Sequence, residues 1–259
     1  RTIIVEELDA IGDKFGDDRR TQIIESSADL TIEDLIAEER MVVSITHSGY
    51  IKRTPSDLYR SQRRGGRGVQ GATTKDEEWV AHLFVGTTHD YIMFFTDQGK
   101  AYWLKIYELP QGGRATKGRP VINLLEIEKG ENIQAVVPVS EFDDEHFLTF
   151  ATAKGQVIRN NLSLYGNPRR TGIKAVKLAD DDYLVDVFQT DGQSELFVGT
   201  EQGMAIHFHE SDVRDTGRDT GGVKGISLGK DDKVIGMAPT RPGTTLLTVC
   251  EKGYGKRSK

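Results

Sequence analysis

Five glycines, Gly49, Gly99, Gly155, Gly203 and Gly253, follow one another at intervals of 50, 56, 48 and 50 residues, and each sits in the same local pattern. An apolar run precedes the glycine, a polar turn contains it and a second short run follows. The copies are Val42–Arg53, Ile92–Trp103, Leu148–Arg159, Leu196–His207 and Leu246–Arg257. A glycine so placed supplies the positive φ of a hairpin turn. A period of about 50 residues constrains the chain further, because a unit that short cannot bury a core alone and must stack against its neighbours.

About twenty residues after each hairpin comes a second element: Gly68-Val69, Gly118–Leu124, Gly172–Leu178 and Gly222–Leu228, the first being the poorest copy. A third run, such as Ile133–Val137 or Tyr183–Val187, leads into the next hairpin. Each repeat therefore holds about four strands and reads as one blade of a radial β-array. No segment after residue 40 keeps a helical period for three turns, so the expected fold is all-β.

Ahead of the repeats, Ile4, Leu8, Ile11 and Phe15 share one face of a helix that Gly16-Asp17-Asp18 ends. Such a stripe needs a packing partner, expected elsewhere in a longer parent chain. Thr31-Ile32-Glu33-Asp34 is read as the cap of a short second helix, and residues 17–30 as linker. The organisation expected is a helical tail and linker over residues 1–28, then a repeat body over residues 29–259.

Net charge is −6, which argues against a nucleic-acid partner until its distribution is followed along the chain. Residues 1–40 hold five basic side chains and twelve acidic ones, so the repeat body is close to neutral. Within it the cations form five stations: Lys52 to Arg67, Arg114 to Arg119, Arg169 to Lys177, Arg214 to Lys224 and Lys252 to Lys259. A neutral chain can still present a basic stripe if its fold brings such stations to one side.

The densest station contains Gln62-Arg63-Arg64-Gly65-Gly66-Arg67-Gly68. Three guanidiniums offer forked donors, and glycines let backbone N–H groups close on an anion, which suits phosphate. Composition alone leaves open a tight Arg/Gly loop or an RNA-binding type of tail. The string matches the signature box of the bacterial DNA gyrase A protein, in the same place after the first hairpin. Asp29–Ile36, Phe15–Thr21, Lys117–Pro120 and Gly253–Arg257 also resemble that family's segments. The chain is thus similar, over nearly its whole length, to the C-terminal domain of gyrase A. The related topoisomerase IV protein lacks an intact box.

The resemblance implies a six-bladed β-pinwheel preceded by a short N-terminal helix, with about five blades visible here and a sixth expected beyond Lys259. It implies a noncatalytic domain that wraps double-stranded DNA so that an ATP-driven holoenzyme of two gyrase A and two gyrase B chains introduces negative supercoils. Duplex would be held by the box, Gln62, Arg63, Arg64, Gly65, Gly66, Arg67 and Gly68, and by a rim. The rim would comprise Lys52, Arg53, Arg60, Arg114, Lys117, Arg119, Arg169, Arg170, Lys174, Arg214, Arg218, Lys224, Lys256 and Arg257. No cofactor is expected in this domain, since ATP and Mg would act elsewhere in the holoenzyme. The alternatives are the equivalent domain of a topoisomerase IV-like protein, and a protein-binding propeller whose basic stations are merely solvated.

Other chemistry is sparse. Cys250 is the single cysteine, which excludes an internal disulfide and points to a reducing cytoplasm; the gyrase resemblance implies that this is a bacterial cytoplasm, at the nucleoid. No apolar stretch approaches a membrane span of roughly 18 residues. His207 and His209 alternate on one strand without a carboxylate or thiol at ligand spacing, so they read as a surface or packing pair. Gly113–Arg119 superficially resembles a phosphate loop, but Arg119 stands where lysine is required and no helix pattern follows. Strand aromatics, Trp79, Trp103, Tyr50, Tyr102 and Tyr107 among them, are expected in the core between blades, with Tyr59 beside the box exempted.

Overall fold

The hairpins are closed by a repeated pair of hydrogen bonds. The turn glycine's N–H donates to the carbonyl of a threonine three residues earlier: Gly49 to Thr46 at 2.9 Å, Gly99 to Thr96 at 2.9 Å, Gly155 to Thr152 at 3.0 Å and Gly203 to Thr200 at 3.1 Å. The same threonine's hydroxyl accepts the N–H just past the glycine, from Tyr50, Lys100, Gln156 and Met204, at 3.1 to 3.2 Å. All five glycines have φ between 77° and 85°, the left-handed region in which a Cβ is strained. In the last copy Cys250 replaces the threonine, and Gly253 N–H donates to its carbonyl at 2.9 Å.

This computed structural model describes residues 1–17, 21, 32–59, 79–114 and 116–258. Strands are numbered along the chain. The hairpins are β1 (Arg40–Thr46) with β2 (Tyr50–Pro55), β4 (Tyr91–Thr96) with β5 (Lys100–Lys105), β8 (Phe147–Thr152) with β9 (Gln156–Asn161), β12 (Glu195–Thr200) with β13 (Ala205–His209), and β16 (Leu246–Val249) with β17 (Gly255–Ser258). Long third strands are β3 (Val80–Thr87), β7 (Ile133–Val139), β11 (Leu184–Thr190) and β15 (Val234–Thr240). Two-residue strands are β6 (Arg119–Pro120), β10 (Ile173–Lys174) and β14 (Val223–Lys224).

The sheets run β3-β1-β2-β6, β10-β5-β4-β7, β11-β8-β9-β14, β13-β12-β15 and β16-β17. All named pairings are antiparallel, as in β1 with β2, where Val43 faces Arg53. The expected strands are present, but a blade is not one repeat. Each two-residue strand leaves its own repeat and adds to the hairpin of the repeat before it: β6 to β2, β10 to β5 and β14 to β9.

The glycine ahead of each crossing strand explains why the approach is possible. A Cβ at Gly118 would lie 2.4 Å from the Ile51 carbonyl oxygen, at Gly172 2.9 Å from that of Ala101, and at Gly222 2.5 Å from that of Val157. Only glycine lets the backbones meet so closely.

Core residues lie between successive sheets, not within one. Met93, Phe95, Ala101 and Trp103 from β4 and β5 pack with Leu148, Phe150 and Ile158 from β8 and β9. Phe95 and Phe150 meet edge to face, their ring centroids 5.4 Å apart. Met41, Val43 and Ile51 pack against Ile92, Phe94 and Tyr102 in one neighbouring layer, and Ala151, Val157 and Val185 against Leu196, Val198 and Met237 in the other. Strand alternation makes this possible, because the two faces of each blade serve two different interfaces. Trp103 and Tyr102 are buried as expected. Trp79 departs from that expectation: it is exposed and stacks on His47 at 4.0 Å.

The chain divides into two compact units, Arg1–Ile36 and Ala37–Lys259. In the first, α1 (Thr2–Phe15) ends at Gly16, and Ile4, Leu8, Ile11 and Phe15 are all exposed, by 55% to 71%. In place of the expected second helix there is one 3-10 turn, Glu33–Leu35, with no side-chain cap. Three residues make a single turn, too short to nucleate an α-helix. Thr31 lies outside the described residues. No described helix is long and apolar enough to cross a membrane.

Candidate nucleic-acid interface

After the second strand of every complete hairpin the chain makes a 3-10 turn: Ser56–Leu58, Ile106–Glu108, Leu162–Tyr165 and Glu210–Asp212. In the last three cases a glycine-containing loop follows and delivers the chain to β6, β10 or β14, each at a sheet edge. Three of the basic stations occupy these loops and edge strands. The architecture therefore repeats them at equivalent edges of successive blades.

Exposure sorts the predicted residues. Lys117, Arg119, Arg169, Arg170, Lys174, Arg214, Arg218 and Lys224 are exposed on these edge segments, and Arg114 is half-buried. Lys117 covers the face of Tyr50 at 3.7 Å, and Arg170 stands 3.6 Å from Glu126. Lys256 and Arg257 are also exposed, but they lie on β17 itself. Arg60 and the whole box, Gln62 to Gly68, lie outside the described residues.

Lys52 is placed differently. It is 4% exposed, and its ammonium donates to three loop carbonyls, those of Gly113 at 3.1 Å, Arg114 at 2.8 Å and Thr116 at 2.8 Å. Burial pulls its pKa below the usual lysine value. Arg53 is half-buried, donates from Nε to the Leu109 carbonyl at 2.9 Å, and is likewise held below its usual pKa mainly by burial. Both donate to backbone carbonyls between Leu109 and Thr116 and so brace that segment.

Reading the residues in isolation missed the corresponding set on β9. Arg159 is 8% exposed; its Nε and a terminal nitrogen lie 2.6 Å from Asp215 Oδ1, and it donates to the Glu210 carbonyl at 3.0 Å. Asn160 donates to the carbonyls of Thr216 at 2.9 Å and Gly217 at 3.2 Å. Aligning the repeats on the turn glycines would have signalled this, since Arg53 and Arg159 each stand four residues past one.

Elsewhere, Lys100 bridges Glu128 at 2.5 Å and buried Glu131 at 2.9 Å. Burial opposes its charge, but these carboxylates prevail and push its pKa up to about 12. Tyr102, donating to Glu131 at 3.1 Å, is pushed up to about 12 by burial first and by that carboxylate second. Such a network is structural. His207 meets Thr240 at 3.1 Å and His209 meets Ser211 at 2.7 Å. Among the described residues no group of three or more His, Cys, Asp or Glu side chains could hold a metal ion.

An all-β array of antiparallel sheets, three of them completed by an edge strand from the following repeat, with cationic side chains recurring on those edge segments, defines a propeller-like domain. The family model described as "DNA gyrase C-terminal domain, beta-propeller" matches residues 40–86, 90–140, 146–191 and 194–241, and the chain belongs to that family. It is 43% identical over 256 residues to the DNA gyrase A protein of Salmonella typhimurium, covering 99% of this chain and 29% of that protein. With the gyrase A protein of Clostridium acetobutylicum it shares 48% identity over 223 residues, 86% of this chain and 27% of that protein. The chain thus spans less than a third of the length of these two relatives.

Solved structures agree. The C-terminal domain of DNA topoisomerase IV superposes with a TM-score of 0.73 at 28% identity, over 86% of this chain and 68% of that one. A DNA gyrase A C-terminal domain superposes with a TM-score of 0.65 at 27% identity, over 85% and 71% respectively.

Proposed function

We propose that the repeat body binds duplex DNA along its cationic blade edges and bends it, so that a gyrase holoenzyme can introduce negative supercoils. The observation that carries the reading is the recurrence of exposed Arg and Lys on the loops and strands at β6, β10 and β14. Phosphates repeat regularly along a duplex, so cations repeated along a curved edge match them without reading sequence. The box belongs to the same series by position, since it follows the turn Ser56–Leu58 as the other loops follow theirs. The working assembly is two gyrase A and two gyrase B chains in the bacterial cytoplasm at the nucleoid, with ATP, Mg and strand cleavage supplied outside this chain. Residues 1–28 join the body to the rest of the gyrase A protein.

The decisive experiment is a duplex titration at several salt concentrations. If about eight to ten phosphates are neutralised, log K falls against log salt with a slope of roughly −7 to −9, with little sequence preference. A slope near zero, or binding to a single sequence, refutes the proposal. The higher TM-score with topoisomerase IV favours a second reading, the equivalent domain of that enzyme. The intact Gln62–Gly68 box separates the two, because only supercoiling by a reconstituted holoenzyme should depend on it.

A further inference from the structure

Two of the described edge loops, those leading to β6 and β14, are held from behind, through their carbonyl oxygens. On blade three, Asn160 Nδ2 donates to Thr216 O, Thr216 Oγ1 and Gly217 O at 2.9, 3.2 and 3.2 Å. The amide cannot turn over, because its own oxygen accepts the Tyr165 hydroxyl at 2.7 Å. Tyr165 is fully buried, and burial holds its hydroxyl protonated by raising its pKa. The Thr216 N–H donates to Arg159 O at 2.9 Å, closing the anchor. Arg214 and Arg218, on either side of the anchored residues, remain exposed, and the Arg218 guanidinium lies 5.9 Å from the Tyr165 ring centroid.

Blade one uses different chemistry for the same task. There the buried Lys52 ammonium gathers the carbonyls of Gly113, Arg114 and Thr116, beside exposed Lys117 and Arg119. In both loops a donor from the hairpin's second strand fixes the backbone of the next repeat's cationic segment. A loop tethered by its carbonyls cannot turn those oxygens toward an anion, so its cations are presented without competing negative dipoles. Ordering the loop before binding also removes an entropic cost from association.

We infer that Asn160, oriented by Tyr165, and Lys52 are positioning residues that preorganise the edge loops for phosphate, a reading that rests on the DNA function proposed above. A direct cation–phosphate contact and a positioning role differ in a measurable way. Removing one contact makes the salt slope shallower by about 0.9. Asn160 carries no charge, so its replacement can alter the slope only through Arg214 and Arg218.

The test is a duplex titration across salt with the 259-residue chain and its variants Asn160→Ala, Tyr165→Phe and Lys52→Met, each with a thermal melt. Asn160→Ala and Tyr165→Phe should make the slope shallower by about one to two and weaken binding about five- to fiftyfold at 0.1 M salt. Lys52→Met should lose more than the single unit its own charge accounts for. If Asn160→Ala does not fold, Tyr165→Phe, which keeps the ring and its volume, carries the test. A steep wild-type slope left unchanged by both neutral substitutions overturns the inference alone. A flat wild-type slope overturns the DNA reading, and the inference falls with it.

Discussion

Arg159 has two carboxylate partners, and the more distant one should matter more to stability. Asp215 lies 2.6 Å from it, whereas Glu210 Oε2 lies 3.6 Å away. Asp215 is 54% exposed, so water competes for the pair and its worth falls to about 1 kcal/mol or less. Glu210 is fully buried, and it also accepts the Ser194 N–H at 2.7 Å and the Thr190 hydroxyl at 2.5 Å. Glu210→Ala would strand the Ser194 N–H and leave the Thr190 hydroxyl only its 3.2 Å contact with the Thr149 hydroxyl, where water cannot reach either. Two bonds to an ionised acceptor, at about 1.5–3 kcal/mol each, and a buried ion pair broken at about 3–5 kcal/mol give the same estimate, about 4 kcal/mol. Asp215→Ala should cost about 1 kcal/mol at most. Urea unfolding followed by the fluorescence of Trp103, buried between two blades, measures both. Equal losses, or a larger loss for Asp215→Ala, would refute the claim that burial outweighs distance here.

Replacing Arg63, Arg64 and Arg67 together with Ala should weaken duplex binding modestly while sharply reducing bending, because a bend costing about 10 kcal/mol needs every station at once. Fluorescence end-to-end proximity of the DNA beside a binding titration checks it, and proportional loss of both counts against it. Asp186→Asn should stabilise the body at neutral pH: burial raises the Asp186 carboxyl above its ordinary value despite the Met237 N–H, which donates to it at 2.9 Å. The folded state then binds its proton more tightly than the unfolded state does, so stability falls as pH rises from the ordinary carboxylate value through the raised one. Melts of both proteins should differ most near pH 7 and converge near pH 3, and the opposite trend would refute it. Deleting residues 1–28 should leave duplex affinity and the melting temperature of the repeat body unchanged, and a large loss in either would move the domain boundary.

What the sequence disclosed depended on whether a residue's role was local or relational. Turn glycines need a positive φ, a property of one residue, so all five hairpins were legible. Gly118, Gly172 and Gly222 were visible as markers of a second element, but their purpose is contact with the preceding repeat's backbone, which no local pattern states. Hence the strands were foreseen and their allocation to blades was not. Lys52 looked like one more surface cation. Aligned on the turn glycines, its position carries Tyr102, Ile158 and Ile206 in other repeats, the first two buried, so a core position was encoded but masked by charge. Asn160 is silent in composition, because its value lies in which carbonyls its amide reaches.

A blade that borrows its last strand from the following repeat is always finished one repeat late. While the chain emerges from the ribosome, β2 waits for β6, β5 for β10 and β9 for β14, each about 65 to 70 residues further on. From the completion of β2 until β14 is made, at least one hairpin, and for short intervals two, therefore shows an unpaired edge, open to any strand that arrives first. In a nascent chain paused mid-repeat the newest hairpins would lack the strand that covers β2, β5 or β9 in the finished fold, and misassembly, where it occurs, should begin there.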